Sequence, residues 1–379
     1  MKLARLIAKN LRRRPMRTLF TLLGVASAML LFVLVESLSA GLDRAMAGTE
    51  AARTLVVYRQ NRYCPQTSFL PEHYTDRIKK LPGVLSVLPV KVFLNNCRAS
   101  LDLVAFQGAP VEEMLAMRGL EVIDGDVERF KRERDAALVG RAFAARKKLR
   151  PGDSFRFGSI DVKVAGIFAS AEPVDEGVVM THLEFLQRSG PVNKLGTVTQ
   201  FEVKIDNAEN AKAISAEIDA TFKTAEEPTD TRAKIQYLEG ATRDLREILR
   251  FARWLGIGCV AVVLALVANT VLMSSQERVR EFGVFRTLGF REGHIGALVL
   301  GEAWILALGG CAIGLLAAIA MVKFTHVSIG SEGVAVGFHI ASSLVLRVTL
   351  VSIVAGTLAG IFPAWQSARR PVVAALREA

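Results

Sequence analysis

The stretch TLFTLLGVASAMLLFVLV, residues 18–35, contains 18 consecutive residues without a charge. The hydrocarbon core of a bilayer is ~30 Å thick, and an apolar helix of about 20 residues crosses it. Three further uncharged stretches lie at residues 255–273, 303–322 and 348–365. One such run would also fit a buried helix of a soluble protein, but four runs predict four transmembrane helices.

The composition indicates that a water-soluble domain accompanies these helices. Of the 379 residues, 51% are hydrophobic and yet 22% are charged, which a bundle of membrane helices alone would not reach. The long segment between the first two spans is large enough for one or two folded lobes. The predicted organisation is an N-terminal amphipathic helix (1–17), span one (18–39), an insertion with stalk helices (40–252), span two (253–275), a link (276–296), span three (297–322), a short outer loop (323–342), span four (343–365) and a tail (366–379).

The positive charge predicts the orientation of the chain. Residues 1–17 carry +7, residues 276–296 carry +1 and residues 366–379 carry +2, so these segments hold +10 of the net +11. Cytoplasmic segments of membrane proteins are enriched in Lys and Arg. Both termini and the link are therefore predicted to be cytoplasmic, with the insertion on the opposite side. This distribution explains the basic character without a nucleic-acid partner.

The start of the chain is also superficially similar to a cleaved signal peptide. Its apolar run of 18 residues is longer than the usual signal core of about 7–15 residues. The sequence therefore favours a retained first span over a cleaved one.

The insertion reads as a mixed α+β domain on a helical stalk. Residues 54–59 and 84–94 are strand-like, whereas residues 207–222 have the spacing of an amphipathic helix. Residues 231–274 contain no proline, and they predict one continuous helix about 65 Å long at ~1.5 Å per residue. Residues 36–47 would similarly extend span one, and a flexible linker is the alternative to such a stalk.

Cys64 and Cys97 both lie in the insertion and form a possible disulfide. An extracytoplasmic compartment is oxidising, which would favour the bond. Sequence spacing does not establish that the two thiols meet, so the bridged and unbridged states both stay open.

The sequence contains no motif for covalent chemistry. It has no G-x-x-x-x-G-K-[ST], H-E-x-x-H or C-x-x-C motif, and its five histidines lack metal-ligand spacing. We therefore expect a chain that is not itself an enzyme and that holds neither a metal nor a cofactor.

Small residues within the spans predict close helix packing. Gly310 and Gly314 form one G-x-x-x-G pair, and Gly356 and Gly360 form another. Contacts within one chain and contacts between two copies both fit this pattern. Glu302, next to span three, is expected to extend towards the membrane surface, with a buried ion pair as the alternative.

The link QERVREFGVFRTLGF, residues 276–290, is short, charged and interleaved with large apolar residues. Such a segment lies at a membrane surface or presents an apolar edge to a partner. The pattern alone does not choose between these two readings.

Three motifs carry a resemblance to a known family. The stretch QERVREFGVFRTLGFREGHI (276–295) resembles the coupling-helix region of FtsX-like ABC transporter permeases of the MacB and LolC/LolE type, the type VII group. The stretches AKNLRRRPMRTLFTLLGV (8–25) and PAWQSARRPVVAALR (363–377) resemble the start and end of the same proteins. In the insertion, LPGV (81–84) and RPGDSF (150–155) resemble the family's periplasmic core domain.

The resemblance implies a dimeric permease in the inner membrane, working with a second copy or a paralogue. A separate ATPase would bind ATP and Mg²⁺, since only 17 residues precede span one. Closure of that ATPase would move the outer domain by mechanotransmission, acting on a lipoprotein, lipid, peptide or drug. By the same resemblance the ATPase would contact eight residues of the link, namely Glu281, Phe282, Gly283, Val284, Phe285, Arg286, Leu288 and Gly289.

Other partners and functions also follow from the resemblance. A periplasmic adaptor or an outer-membrane protein is a further expected partner. The alternative functions are an FtsX-like regulator of a cell-wall hydrolase and a membrane sensor that does not transport. The sensor alone predicts no ATPase partner.

Overall fold

The computed structural model describes residues 7, 10, 13–46, 53–62, 67–94, 104–190, 194–325, 328–331 and 334–369. Its α-helices are α1 Pro15–Met46, α2 Tyr74–Ile78, α3 Val111–Arg118, α4 Val127–Arg132, α5 Arg141–Lys147, α6 Leu183–Arg188, α7 Ala211–Phe222, α8 Lys234–Ala241, α9 Arg243–Glu277, α10 Val279–Thr287, α11 Glu292–Thr325 and α12 Ser342–Arg369. Its strands are β1 Thr54–Arg59, β2 Leu70–Pro71, β3 Val84–Leu94, β4 Ala105–Ala109, β5 Glu121–Gly125, β6 Ala136–Gly140, β7 Ser154–Phe157, β8 Ile160–Ala169, β9 Val179–His182, β10 Thr197–Val198, β11 Gln200–Ile205, β12 Thr229–Ala233, β13 Ser328–Ser331 and β14 Val334–Gly337.

The four predicted spans lie in four long helices, α1, α9, α11 and α12. Each of these helices is long and apolar enough to cross a membrane. With α10, these helices make up one compact unit, the membrane unit, apart from the end of α1 after Ala40 and the start of α9 before Ile248. The second unit, Gly41–Glu247 with Thr325–Phe338, contains the strands and is called the insertion unit. The predicted architecture of four spans and one inserted mixed domain is confirmed.

The membrane unit is held together by stripes of buried residues four positions apart. Val25, Met29 and Val33 form the buried stripe of α1. Val263 and Val267 begin the equivalent stripe of α9, which continues to Val271 in the same cluster. Residues four apart lie on one face of a helix, so each helix presents one continuous apolar ridge to its neighbours.

Glycines allow these helices to approach closely. A Cβ built on Gly314 would lie 2.5 Å from the carbonyl oxygen of Ala26 in α1, and one on Gly310 would meet Val25. On α12, a Cβ on Gly356 would lie 3.0 Å from Cβ of Ala307 in α11. Both G-x-x-x-G pairs are therefore occupied by contacts within this chain, including Gly360 against Ala303 at 2.9 Å.

Gly314→Ala should destabilise the membrane unit by about 1–3 kcal/mol, because the added methyl group meets backbone that cannot move independently. Gly258→Ala is the matched control, since nothing lies within 4 Å of a Cβ there. Thermal unfolding of the purified full-length variants measures the difference. A melting temperature of Gly314→Ala equal to that of Gly258→Ala would contradict the packing described.

The insertion unit is built around a ten-stranded sheet. The strand order is β12-β1-β11-β3-β4-β9-β6-β8-β5, with β7 paired to β8. Most pairs are antiparallel, but β4 pairs β9 and β6 pairs β8 in parallel. The strands predicted at residues 54–59 and 84–94 coincide with β1 and β3.

The prediction of one continuous helix over residues 231–274 is wrong. Residues 229–233 form β12, which pairs antiparallel with β1. Thr229 and Thr231 both donate hydroxyl hydrogen bonds to Asp219, at 2.9 and 2.7 Å, and these bonds fix the strand against α7. The chain then forms the separate helix α8 and breaks at Thr242 before α9 begins at Arg243. At the N-terminal end of the insertion, α1 does continue past its apolar stretch, to Met46.

A buried ionic cluster lies inside the insertion unit. The Arg118 guanidinium donates to Glu202 at 2.7 Å and to Gln107 at 2.6 Å, and it lies 3.6 Å from Asp175. Burial opposes the charge on Glu202, but Arg118 and Lys234 outweigh it and hold the pKa of that carboxyl below its usual range. The buried charges of Arg118 and Glu202 are therefore stable inside the insertion unit only because their ionic partners are present.

Glu202→Gln should lower the free energy of unfolding by about 3–5 kcal/mol, because the buried Arg118 loses the nearer of its two carboxylate partners. Glu184→Gln is the control, since its pair with Arg134 is exposed and is worth about 1 kcal/mol or less. Denaturant unfolding of the full-length protein reports both. Similar losses in the two variants would contradict a dominant role for the buried cluster.

The same cluster predicts a pH dependence of stability. A carboxyl whose folded pKa is depressed stabilises the fold above its unfolded pKa of about 4.3, and that contribution is lost as the pH falls below it. The unfolding free energy of the unaltered protein should therefore fall in acid more steeply than that of the Glu202→Gln variant. Parallel pH profiles would contradict this assignment.

Candidate coupling site at the link between spans two and three

The link between spans two and three forms a short helix, α10, between two sharp breaks. Arg278 leaves the helical conformation between α9 and α10. At the other end Gly289 adopts a φ of +90°, which favours glycine. The amide of Phe290 then donates to the carbonyl of Phe285 at 3.0 Å, and that of Gly289 to Arg286 at 3.1 Å. These bonds form a Schellman motif that ends the helix and turns the chain into α11.

One face of α10 is buried in the membrane unit. Val279, Phe282 and Gly283 are the buried residues of this helix. Phe282 belongs to the same apolar cluster as Ile295 and Leu298 of α11. Burial of this aromatic ring anchors α10 to the bundle and fixes which of its faces is presented outwards.

An exposed apolar edge runs from the opposite face of α10 into the turn that follows the helix. The exposed fractions of Val284, Leu288 and Phe290 are 46%, 70% and 45%. The ring of Phe290 lies 5.5 Å from that of Phe285, which packs partly against the bundle core. This edge, defined by Val284, Leu288 and Phe290, is called the apolar edge.

Glu302 of α11 is the buried charge that ties the link to the bundle. Its side chain is 3% exposed and pairs with Arg278 at the start of α10. It also accepts hydrogen bonds from the Asn10 amide at 3.0 Å and from the Ser274 hydroxyl at 3.3 Å. The expectation that Glu302 extends to the membrane surface is therefore wrong. Its three neighbours satisfy the carboxylate internally, as a charge in this position requires.

A second layer of ion pairs connects the link to the start of α1. Glu281 pairs with Arg13 and with Arg278, the latter at 3.2 Å. Glu277 pairs with Arg17 at 2.8 Å. Partial burial opposes the charge on Glu281, but hydrogen bonds from the two arginines outweigh it and lower the pKa of that carboxyl. The two layers join α1, α9, α10 and α11 at one end of the membrane unit.

The structure separates the eight residues predicted to contact an ATPase. Val284, Leu288 and Gly289 are exposed, whereas Glu281, Phe285 and Arg286 are half-buried. Phe282 and Gly283 are buried against the bundle in this conformation. The physical reason is the helical period, which places residues 279, 282 and 283 on the face towards the bundle.

Sequence reasoning did not identify Arg278 as the partner of Glu302. The only available signal was an isolated carboxylate beside an apolar span, which requires a partner from somewhere. Cys64 and Cys97 lie outside the described residues, as does most of the predicted helix at residues 1–17. Within the described ranges, no group of three or more His, Cys, Asp or Glu side chains is placed to hold a metal ion.

Glu302→Ala should loosen α10, because the buried Arg278 loses its main partner at a cost of about 3–5 kcal/mol. Glu292→Ala is the control, since it removes only the more exposed pair with Arg286. Amide hydrogen exchange over residues 279–287 in the full-length protein measures the local opening. Equal exchange rates in the two variants would contradict the anchoring role of Glu302.

Two family models match this chain. The MacB-like periplasmic core domain matches residues 18–221, and the FtsX-like permease C-terminal model matches residues 254–372. An uncharacterized ABC transporter permease of Methanocaldococcus jannaschii is 20% identical over 97% of this chain and 96% of its own length. The pyoverdine export ATP-binding/permease protein PvdT of Pseudomonas syringae pv. tomato is 33% identical over 32% of this chain and 18% of its own length.

A solved structure is also similar to part of this chain. The periplasmic region of MacB from Actinobacillus actinomycetemcomitans matches 49% of this chain and 90% of its own length, with 13% identity and a TM-score of 0.37.

Proposed function

Because the chain belongs to the FtsX-like ABC transporter permeases with a MacB-like periplasmic core domain, we propose that it moves or extracts an amphipathic substrate on the outer side of the inner membrane. The energy would come from ATP hydrolysed by a separate ATPase subunit, which membership of this family implies. Candidate substrates are lipoproteins, lipids, peptides and drugs. Four spans leave little room for a wide channel, so mechanical work on the outer side is the proposed mode of action.

The apolar edge of α10 is the observation that carries this proposal. Three large apolar side chains are exposed on α10 and in the turn directly after it, between two spans, where the charge distribution predicts cytoplasm. Phe282 and the Arg278–Glu302 pair hold the buried side of α10 against the bundle. A helix that is anchored on one face and exposes apolar residues on the other can bind a partner and transmit that partner's movement to the bundle.

The ion pairs at the link provide the proposed route for that push. Displacement of α10 would act on Glu302 of α11 through Arg278 and on the start of α1 through the Glu281–Arg13 pair. The helices α1 and α9 continue directly into the two ends of the insertion. Further along these helices, Glu36 pairs with Arg253 at 2.7 Å, so they remain joined near the insertion. A movement at the link would thereby reach the outer domain without a channel.

Dimerisation with a second permease copy or a paralogue is part of the proposal, as are a periplasmic adaptor and an outer-membrane partner. An FtsX-like regulator of a cell-wall hydrolase would use the same link and the same ATPase, with a different task for the insertion. The match of the insertion to a MacB-like periplasmic core domain favours the transporter.

Leu288→Asp should release the ATPase, because a carboxylate on the apolar edge would have to be desolvated on docking. Leu85→Asp is the matched control, since Leu85 is similarly exposed, at 62%, but belongs to the insertion. Co-purification of the chain from its native membrane measures ATPase retention. Retention by the Leu288→Asp variant would contradict the docking assignment, and absence of any ATPase from the unaltered chain would favour the sensor.

A further inference from the structure

A cavity of about 280 Å³ lies in the insertion unit, beside β3 and α6. Its wall is mainly apolar and includes Val92, Phe93, Ile160 and Leu186. Two lysines, Lys91 and Lys194, also line it. The cavity thus combines an apolar wall with two cationic groups in one place.

Lys91 is a buried cation with only neutral hydrogen-bond partners. Its side chain is 8% exposed, and Nζ donates to the carbonyl and the hydroxyl of Thr197, at 3.1 and 3.0 Å. Among the described residues, no carboxylate forms an ion pair with it. Lys194 Nζ lies 3.2 Å above the centroid of the Phe69 ring, and Lys91 Nζ lies 5.1 Å from the same centroid. Two ammonium groups therefore share one aromatic ring.

This arrangement is electrostatically unfavourable in the empty cavity. Burial and the charge of Lys194 lower the pKa of Lys91 to about 8. The carboxylate of Glu72, which is not part of the cavity wall, accepts a hydrogen bond from the amide of Gln187 at 2.8 Å. In the Arg118 cluster of the same unit, by contrast, carboxylates compensate each buried cation. The cavity lacks this compensation, and a bound anion would supply it.

We propose that this cavity binds the anionic group of a small amphiphile between Lys91 and Lys194, with its alkyl chain against Phe93, Ile160 and Leu186. The anionic group is a carboxylate or a phosphate, which the two ammonium groups recognise alike. The volume equals that of roughly nine water molecules at ~30 Å³ each, which suits a chain of about eight carbons. All residues that line this cavity belong to the insertion unit. The proposed site therefore depends neither on the ATPase nor on transport.

Protection of Lys91 from acetylation tests the location of the site. With a pKa of about 8, Lys91 is partly neutral and reactive at pH 8. Acetic anhydride is applied to the full chain in nanodiscs of phosphatidylcholine, and modification is read by peptide mass spectrometry. Octyl phosphate and octanoate should slow acetylation of Lys91 at least fivefold, without protecting Lys163, which forms an exposed pair with Asp135. Octyl glucoside and inorganic phosphate should protect neither lysine.

The result separates the possible sources of the anion. Protection by octyl phosphate alone identifies a phosphate ligand, and protection by octanoate alone identifies a carboxylate. Equal protection by octyl glucoside, or no protection by either anion, would overturn the proposal.

Substitution of the two lysines tests the charge requirement by direct binding. Lys91→Gln and Lys194→Gln should each weaken octyl phosphate binding at least tenfold in calorimetry on the same nanodiscs. Lys163→Gln is the control and should bind like the unaltered chain. Thermal unfolding checks the fold of each variant, and if Lys91→Gln is unfolded, the half-buried Lys194 decides the outcome. Unchanged affinity in a folded variant would overturn the proposal.

Discussion

The burial of one carboxylate, Glu302, constrains the whole membrane unit. A charge at the end of a span is stable only with partners that replace water. Arg278, Asn10 and Ser274 supply them, and each comes from a different part of the chain. The link, the N-terminal segment and two spans are therefore held in one arrangement at this point. A displacement of any of these segments would disturb the environment of the others.

Close packing extends this constraint along the spans. Gly314 lets α11 touch the backbone of α1, and Gly360 lets α12 touch α11. Side chains at these positions would force the helices apart and leave gaps between them. The bundle is consequently suited to transmit movement as a packed body.

The insertion carries a different kind of constraint, because its buried charges are paired in the Arg118 cluster and unpaired in the Lys91 cavity.

The sequence predicted features that depend on local physics. The thickness of the bilayer predicted the four spans, and runs rich in β-branched and aromatic residues predicted the strands β1 and β3. Features set by partners distant in sequence were missed. Residues 229–233 are a strand because β1 lies beside them, although their charge distribution resembles a helix. Likewise Phe282 and Leu288 look equally suited to docking until the bundle covers one of them. The isolated carboxylate of Glu302 indicated that a partner was needed, but nothing in the sequence identified Arg278, 24 residues away, as that partner.

The proposed function depends on Arg278 and Glu302 acting as a pair that connects the link to the spans. The most direct measurement is a double-mutant cycle on substrate-stimulated ATP hydrolysis by the reconstituted complex, with Arg278→Met, Glu302→Leu and the double variant. We expect each single substitution to reduce the stimulation strongly, because each leaves one buried charge without its main ionic partner. The double variant should lose no more than either single variant. Additive losses, or full stimulation in the single variants, would contradict the claim.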